Sequence, residues 1–142
     1  MNKQLYFAYG SNMDTGQMAH RCPGARKVGI ALLNGYRFII NSRGVASVVP
    51  DKEHIVKGVV WEISPKDVES LDLYEGIASG LYRKVYMQVV LWETIESELA
   101  LVYIAKDEVP GKSREGYLDS IISAAKDHGL DEEYIAELKR WG

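Results

Sequence analysis

The sequence has a single cysteine, Cys22, among its 142 residues. Because one thiol can form neither an internal disulfide nor a zinc–thiolate cluster, both are excluded, and the chain fits a reducing compartment. Long hydrophobic runs are lacking as well. No segment approaches the ~20 apolar residues of a membrane span, and the first apolar run is too short and too polar-flanked for a signal peptide. We therefore expect a cytoplasmic protein that does not associate with membranes.

The chain also has no strong excess of charge of one sign. Its formal net charge is -3, and the Lys and Arg residues form no run that could follow a phosphate backbone. A nucleic-acid partner is therefore not expected. Hydrophobic residues make up 46% and charged residues 26% of the chain, which is the balance of a globular protein. With no low-complexity tract, long linker or internal repeat, we expect one domain over residues 1–142.

Strand-like segments are present along most of the chain. The clearest alternation has Val85, Met87 and Val89 on one side of a strand, with polar residues between them. Residues 33–35 read Leu-Asn-Gly, which is typical of a turn that closes a hairpin. The predicted strands are 5–9, 36–40, 45–49 (ending at Pro50), 56–63, 81–91 and 99–105.

Helices are fewer and shorter. Ser64 followed by Pro65 is typical of a helix start, and that helix is predicted to continue to Tyr74. A second helix is predicted over 114–128 with Gly129 as its C-cap, and a short third one starts at Asp131. Many strands with few helices indicate an α+β domain, a small mixed β-barrel or curled sheet with a few outer helices.

The most informative segment is the first strand and the loop that follows it, Tyr6-Phe7-Ala8-Tyr9-Gly10-Ser11-Asn12-Met13. A glycine after the strand lets backbone N–H groups turn towards one point. The composition of 13–20 predicts a helix, capped by Asn12 or Asp14, whose N-terminus adds partial positive charge. Such a loop can hold a carboxylate, a phosphate or a developing oxyanion. On these residues alone, an ordinary strand–turn–helix corner is the favoured interpretation.

The motif Tyr9-Gly10-Ser11-Asn12 resembles the N-terminal signature of the gamma-glutamylcyclotransferase superfamily. The resemblance covers nearly the whole chain, because further motifs follow in the family's order. They are Arg21-Cys22-Pro23-Gly24-Ala25, Gly58-Val59-Val60-Trp61, Leu71-Asp72-Leu73-Tyr74-Glu75-Gly76 with Tyr82, Tyr103 in a late strand, and the C-terminal stretch from Tyr117 through Gly129-Leu130 to Tyr134 and Leu138.

The resemblance implies a β-barrel-like fold and the conversion of a γ-glutamyl compound to 5-oxoproline plus a free amine or amino acid. It implies Glu75 as the catalytic acid/base and no cofactor or metal. It further implies a substrate-binding set made of the first strand and loop (Tyr6, Phe7, Ala8, Tyr9, Gly10 and Ser11) with Tyr117, Tyr82 and Tyr103. Within this set, the amides from about Tyr9 to Ser11 are expected to bind the substrate carboxylate or polarise its carbonyl.

Glu75 suits this role on physical grounds. It follows the 65–74 helix, where the negative end of the helix dipole raises a carboxyl pKa. Apolar neighbours such as Leu71 and Tyr74 are expected to raise the pKa further by desolvation. Without the motif around it, a solvated glutamate at a helix end is the alternative interpretation.

The remaining candidate residues are not expected to take part in catalysis. Ser11 lacks a nucleophile elbow and a paired histidine. His20, His54 and His128 are scattered, and we expect them at the surface rather than at a metal. Arg21 is expected to bridge strands or cap a loop, and Asp72 to cap or pair locally. Arg43, beside Gly44 in a predicted turn, could reach into the mouth of the site, but a solvated turn residue is the favoured interpretation.

The sequence leaves several alternatives open. The substrate is either a γ-glutamyl amino acid or a γ-glutamylamine, and the glutathione-degrading branch of the superfamily is disfavoured by the residue after Gly-Ser. A catalytically silent member that binds a small metabolite or a protein is the rival function. Whether the chain forms a homodimer also stays open.

Overall fold

The computed structural model describes residues 3–142. Within them five strands close into a barrel, so the structure is α+β as predicted. The strands are β1 (Gln4–Ala8), β2 (Arg26–Ile40), β3 (Ala46–Ile63), β4 (Tyr82–Leu91) and β5 (Ser97–Ala105), and the helices are α1 (Thr15–Arg21), α2 (Pro65–Tyr74), α3 (Tyr117–His128) and α4 (Glu132–Lys139), with a 3₁₀ turn at Ser11–Met13.

The barrel has the strand order β1–β3–β2–β4–β5 and is closed by pairing between its first and last strands. β1 is antiparallel to β3 but parallel to β5, with Leu5 opposite Ala100 and Tyr6 opposite Leu101. Closure therefore brings the start of the chain beside residues almost a hundred positions later. The rings of Tyr6 and Tyr103 meet edge to face, with centroids 5.8 Å apart.

Two strands are much longer than predicted. The turn predicted at residues 33–35 is wrong: these residues lie inside β2, where a register shift between Asn34 and Tyr36 marks a bulge and Gly35 takes a φ of 80°. β3 likewise does not stop at Pro50 but continues to Ile63. Pro50 is tolerated because this part of β3 pairs only with β2, so its missing N–H faces an unpaired edge.

The helix boundaries that the capping residues predicted at Ser64 and Gly129 are confirmed. Ser64 and Asp67 form a reciprocal capping box at the start of α2, and Pro65 is its first residue. Asp14, rather than Asn12, caps α1 by accepting from the Gln17 amide at 2.9 Å. Gly129 ends α3 in a left-handed conformation, although α3 begins at Tyr117 and not at residue 114 as predicted.

The buried apolar residues form one cluster to which strands and helices both contribute. His128 is half-buried beside this cluster, so it is less exposed than its prediction as a surface residue implies. Its Nε2 lies 2.5 Å from the Met13 carbonyl oxygen, and its ring meets Trp61 edge-on at 6.1 Å. No helix within residues 3–142 is long and apolar enough to cross a membrane.

Candidate active site

A cavity of about 250 Å³ lies where β1, α2, β4, β5 and the start of α3 converge. Its wall combines six tyrosines with one carboxylate and two arginines. The lining residues are Tyr6, Tyr9, Gly10, Ser11, Asn12, Arg21, Val45, Ala46, Tyr74, Glu75, Tyr82, Tyr103, Arg114 and Tyr117.

Glu75 is placed on this wall by the end of α2. The capping box at Ser64 sets where the helix begins, and the Glu75 amide closes its last turn on the Leu71 carbonyl at 2.8 Å. Burial raises the pKa of the Glu75 carboxyl from its ordinary value of 4.5 to about 7, while the Arg21 charge opposes the rise. Burial therefore outweighs any other influence on this carboxyl, and both of its protonation states are populated near neutral pH.

Arg21 is the cation that faces Glu75, and it is held from two sides. Its Nη1 donates to the Asn12 Oδ1 at 2.5 Å, and its guanidinium lies 4.0 Å from the centroid of the Tyr74 ring. The sequence prediction that Arg21 only bridges strands or caps a loop is therefore incomplete, because Arg21 also lines the cavity. The cation held near Glu75 limits the rise of its carboxyl pKa.

Three tyrosine hydroxyls of the wall give their protons to the protein. Tyr9 donates to the Tyr103 carbonyl at 2.6 Å, Tyr82 donates to the Ala46 carbonyl at 2.8 Å, and Tyr103 donates to the Asp72 Oδ1 at 2.7 Å. Their free lone pairs can therefore only accept hydrogen bonds in the cavity. The same contacts correct the expectation that Asp72 pairs locally, since it also binds Lys84 of β4 at 3.1 Å.

Two other tyrosine hydroxyls have the opposite polarity. The Tyr117 oxygen accepts from the Ala46 amide at 3.1 Å, and the Tyr6 oxygen accepts from the Asn12 Nδ2 at 2.9 Å. Each of these hydroxyls keeps its proton free to donate to a ligand. Burial raises the pKa of both phenols above the usual range, so they stay protonated at neutral pH.

The loop after β1 supplies backbone donors. Among residues 3–142 the amides of Gly10, Ser11 and Asn12 donate to no other backbone group, since the 3₁₀ turn begins with the Met13 amide on the Gly10 carbonyl. Gly10 has a φ of -123°, which lies outside the left-handed region that favours glycine. A Cβ there would lie 3.3 Å from the Ala46 Cβ and 3.7 Å from the Tyr117 hydroxyl.

Comparison with known proteins identifies relatives both by sequence and by structure. The model of the AIG2-like family matches residues 55–138. Human gamma-glutamylcyclotransferase is 32% identical over 145 residues, covering 95% of this chain and 77% of the human protein, and the mouse protein is 30% identical with the same coverage. The chain belongs to the gamma-glutamylcyclotransferase family. A solved structure of a gamma-glutamyl cyclotransferase superposes with a TM-score of 0.91 at 28% identity, over 99% of this chain and 89% of the other.

In this gamma-glutamylcyclotransferase family member, the residues predicted from the first strand separate into two groups. Tyr6, Tyr9, Gly10 and Ser11 line the cavity, as do Tyr82, Tyr103 and Tyr117. Phe7 and Ala8 do not lie on the wall: both are buried in the core, where they meet β3 at Gly58. Phe7 and Ala8 position the loop that follows them and do not contact the cavity.

Six wall residues are absent from the site set predicted from the sequence: Asn12, Arg21, Val45, Ala46, Tyr74 and Arg114. Asn12 and Tyr74 hold Arg21, and the Ala46 backbone fixes two tyrosine hydroxyls. Arg114 joins them from the segment before α3. Asn12 belongs to the Tyr-Gly-Ser-Asn motif and Tyr74 to the motif that contains Glu75, so both could be assigned from the sequence, whereas nothing local to Ala46 or Arg114 indicates a site.

Proposed function

We propose that the chain converts a γ-glutamyl compound to 5-oxoproline by intramolecular cyclotransfer, releasing an amine or amino acid, with Glu75 as the general acid/base. The observation that carries this proposal is a carboxyl with a pKa near 7 inside a cavity whose other walls supply separate hydrogen-bond donors and acceptors. A group with a pKa near the working pH can both take and return a proton.

The proton transfers balance as follows. Glu75 takes one proton from the substrate's α-ammonium group, and the neutral amine attacks the γ-carbonyl carbon to form the ring C–N bond. Glu75 returns its proton to the leaving nitrogen while the original C–N bond breaks. The ring nitrogen loses its second ammonium proton to water, and the released amine is protonated from water. No other reactant is needed.

The polarity of the tyrosine hydroxyls supports one orientation of the substrate. The lone pairs of Tyr82 and Tyr103 suit the α-ammonium group, which is a donor and has to approach Glu75. The free protons of Tyr6 and Tyr117 suit the carboxylate and the carbonyl oxygen of the substrate. The loop amides at Gly10 and Ser11 are the donors for the oxyanion that forms during attack.

Positioning accounts for a large part of the catalysis in this proposal. Nucleophile and carbonyl belong to one molecule, so the cavity has only to select the rotamer in which they meet. Orientation of this kind contributes up to about 7–11 kcal/mol to lowering a barrier. The proton shuttle adds roughly 10²–10⁴-fold in rate.

The test is the substitution Glu75→Gln, which keeps the shape of the side chain and removes its proton transfer. Release of 5-oxoproline from γ-glutamyl compounds should fall by at least about 10²-fold, while circular dichroism and ligand affinity are retained. Glu69→Gln, at an exposed position of the same helix, is the matched control and should retain wild-type turnover. Full turnover by Glu75→Gln would contradict the assignment, and ligand binding without turnover in either form would indicate the catalytically silent alternative.

A further inference from the structure

A second, smaller cavity of about 160 Å³ adjoins the first. The two share Glu75, Tyr82 and Arg114 among their lining residues. The smaller cavity adds Arg43 and the apolar side chain of Leu81. A ligand whose reacting centre lies at Glu75 would extend from the first cavity into this second one, which we call the outer lobe.

Arg114 is fixed in the outer lobe by the turn that carries Arg43. Its Nε donates to the Arg43 carbonyl at 3.0 Å, and its amide donates to the Gly44 carbonyl at 3.2 Å. The close approach depends on Gly44, which has a φ of 84° and where a Cβ would lie 2.8 Å from the Arg114 Cγ. With Nε engaged, the two terminal nitrogens of Arg114 remain available to a ligand.

Neither arginine of the outer lobe has an acidic partner. Six ion pairs within 4.0 Å are formed among residues 3–142, and none includes Arg43 or Arg114. Asp107 lies close enough for Arg43 to help lower the pKa of its carboxyl. The leading causes of that lowering, however, are hydrogen bonds from the Ser42 hydroxyl and the Val109 amide.

The charge of the two cavities favours an anionic ligand. Their lining contains three arginines, Arg21, Arg43 and Arg114, against the single carboxylate of Glu75, although the chain as a whole has a net charge of -3. A γ-glutamylamine is a neutral zwitterion, whereas a γ-glutamyl amino acid carries one further carboxylate on its leaving group. Only the second compound offers a negative charge beyond the scissile bond.

We propose that Arg43 and Arg114 bind a carboxylate on the leaving group, so that γ-glutamyl amino acids are preferred over γ-glutamylamines. This inference rests on the proposed function and adds the residues that select the leaving group. Guanidinium groups bind carboxylates through paired N–H donors, and such charge-assisted bonds are stronger than neutral ones. Leu81 lies beside them to contact the aliphatic part of the leaving group.

The test compares two substrates that differ by that carboxylate alone, L-γ-glutamyl-L-alanine and L-γ-glutamylethylamide. The wild-type protein should show the higher kcat/KM for the alanine compound. In Arg43→Gln and in Arg114→Gln the ratio of the two kcat/KM values should fall about tenfold, mainly through KM. Arg43→Lys, which keeps the charge, should restore part of the ratio. The matched control Arg83→Gln removes the same charge from an exposed position outside both cavities and should keep the wild-type ratio.

The outcomes separate this inference from the proposed function. Equal losses on both substrates would mean that the arginines hold the glutamyl part or the fold, and a wild-type preference for the ethylamide would likewise overturn the inference. If the wild-type protein released 5-oxoproline from neither compound, the proposed function would fail instead. Calorimetric binding of the two compounds to Glu75→Gln, with and without each arginine substitution, then decides the inference without any turnover: tighter binding of the alanine compound that depends on Arg43 and Arg114 supports it, and equal binding overturns it.

Discussion

Two opposing influences act on the Glu75 carboxyl. Burial raises its pKa to about 7, and the Arg21 guanidinium lowers it. Arg21 itself is held in place by Asn12 and by the Tyr74 ring. The protonation state of Glu75 at neutral pH is therefore set mainly by burial, and a cation that belongs to a different helix limits the rise of its pKa.

Removal of this cation should move the pH profile. In the wild-type protein, kcat/KM for release of 5-oxoproline should rise with pH through an apparent pKa near 7, because Glu75 has to be ionised to accept a proton. Arg21→Gln removes the influence that lowers the pKa, so its acid limb should lie at higher pH. Initial rates between about pH 5 and 9 measure this shift.

The pH at which the acid limb lies is the informative quantity. The rate itself is less informative, because losing the hydrogen bond from Arg21 to Asn12 should lower it at every pH. Arg26→Gln removes a charge from an exposed ion pair with Glu62, outside the cavity, and should leave the limb in place. An acid limb of Arg21→Gln at or below the wild-type pH would show that Arg21 does not tune Glu75.

Burial of Glu75 also predicts a pH-dependent cost in stability. Its carboxyl pKa is about 7 in the folded protein against an ordinary 4.5, so the folded state binds this proton more tightly than the unfolded state does. The resulting stability is fully present below pH 4.5 and is lost as pH rises to about 7. Relative to Glu75→Gln, the wild-type protein should lose on the order of 1–3 kcal/mol between these limits.

Urea unfolding of both proteins at several pH values measures this difference directly. Glu75→Gln should match the wild-type protein most closely near pH 4.5 and should exceed it in stability at pH 8. Parallel stability curves for the two proteins across this range would mean that Glu75 is not buried in the folded state.

At the scale of single residues, motifs could predict Glu75, the loop and three tyrosines of the wall, but not Arg114. Glu75 stands inside a contiguous motif, and Gly10 and Ser11 stand inside another. Arg114 stands in no such motif. It reaches the site only because its amide and its Nε bind a turn some seventy residues earlier in the chain.

Among the elements, the two long strands differ most from the sequence prediction. Leu-Asn-Gly at residues 33–35 has the composition of a hairpin turn, yet the chain uses the glycine for a bulge that bends β2 without ending it. The local composition is the same for a hairpin turn and for a bulge. The partner strand decides between them, because β3 continues to pair with β2 on both sides of the bulge.

Gly58 is the element-scale feature that positions the loop of the site. It lies in β3 opposite the end of β1, and a Cβ there would lie 2.3 Å from the Ala8 carbonyl oxygen. Gly58→Ala should therefore force β1 away from β3 and lower the free energy of unfolding by about 1–3 kcal/mol. Because β1 leads directly into the loop at Gly10, turnover should fall as well, although Gly58 is not on the cavity wall. Chemical unfolding and an assay of 5-oxoproline release measure the two effects.

Gly24→Ala is the matched control for this substitution, because a Cβ at Gly24 would meet nothing within 4 Å. It should leave both stability and turnover near the wild-type values. If Gly58→Ala were as stable as Gly24→Ala, close packing of β1 on β3 would not be what fixes the loop.

The whole molecule brings the site together by closing the barrel. Parallel pairing of Tyr6 with Leu101 joins the first strand to the last, and this places Tyr6 beside Tyr103. The α+β class and a barrel-like sheet could be predicted from strand content and from the resemblance. The strand order could not, since the pairing of β1 with β5 leaves no local pattern in either segment.

The chemistry of the assembled site predicts turnover without a metal ion. Within residues 3–142 no group of three or more His, Cys, Asp or Glu side chains is arranged to hold a metal, and the only thiol, Cys22, is buried. In the proposed reaction the nucleophile is the substrate's own amine, Glu75 moves the proton, and the loop amides with Tyr6 and Tyr117 supply the positive ends of dipoles to the oxyanion. Lewis-acid activation is therefore not required at any step of the proposed reaction.

Protein treated with a metal chelator and then freed of it should release 5-oxoproline from L-γ-glutamyl-L-alanine at the rate of untreated protein. Glu75→Gln carried through the same treatment sets the background, because it lacks the proton shuttle and keeps the fold. Addition of zinc to the treated wild-type protein should not raise its rate. Loss of turnover on chelation that zinc restores would contradict a mechanism carried by Glu75 and the loop amides alone, because metal activation would then supply part of the catalysis now assigned to them.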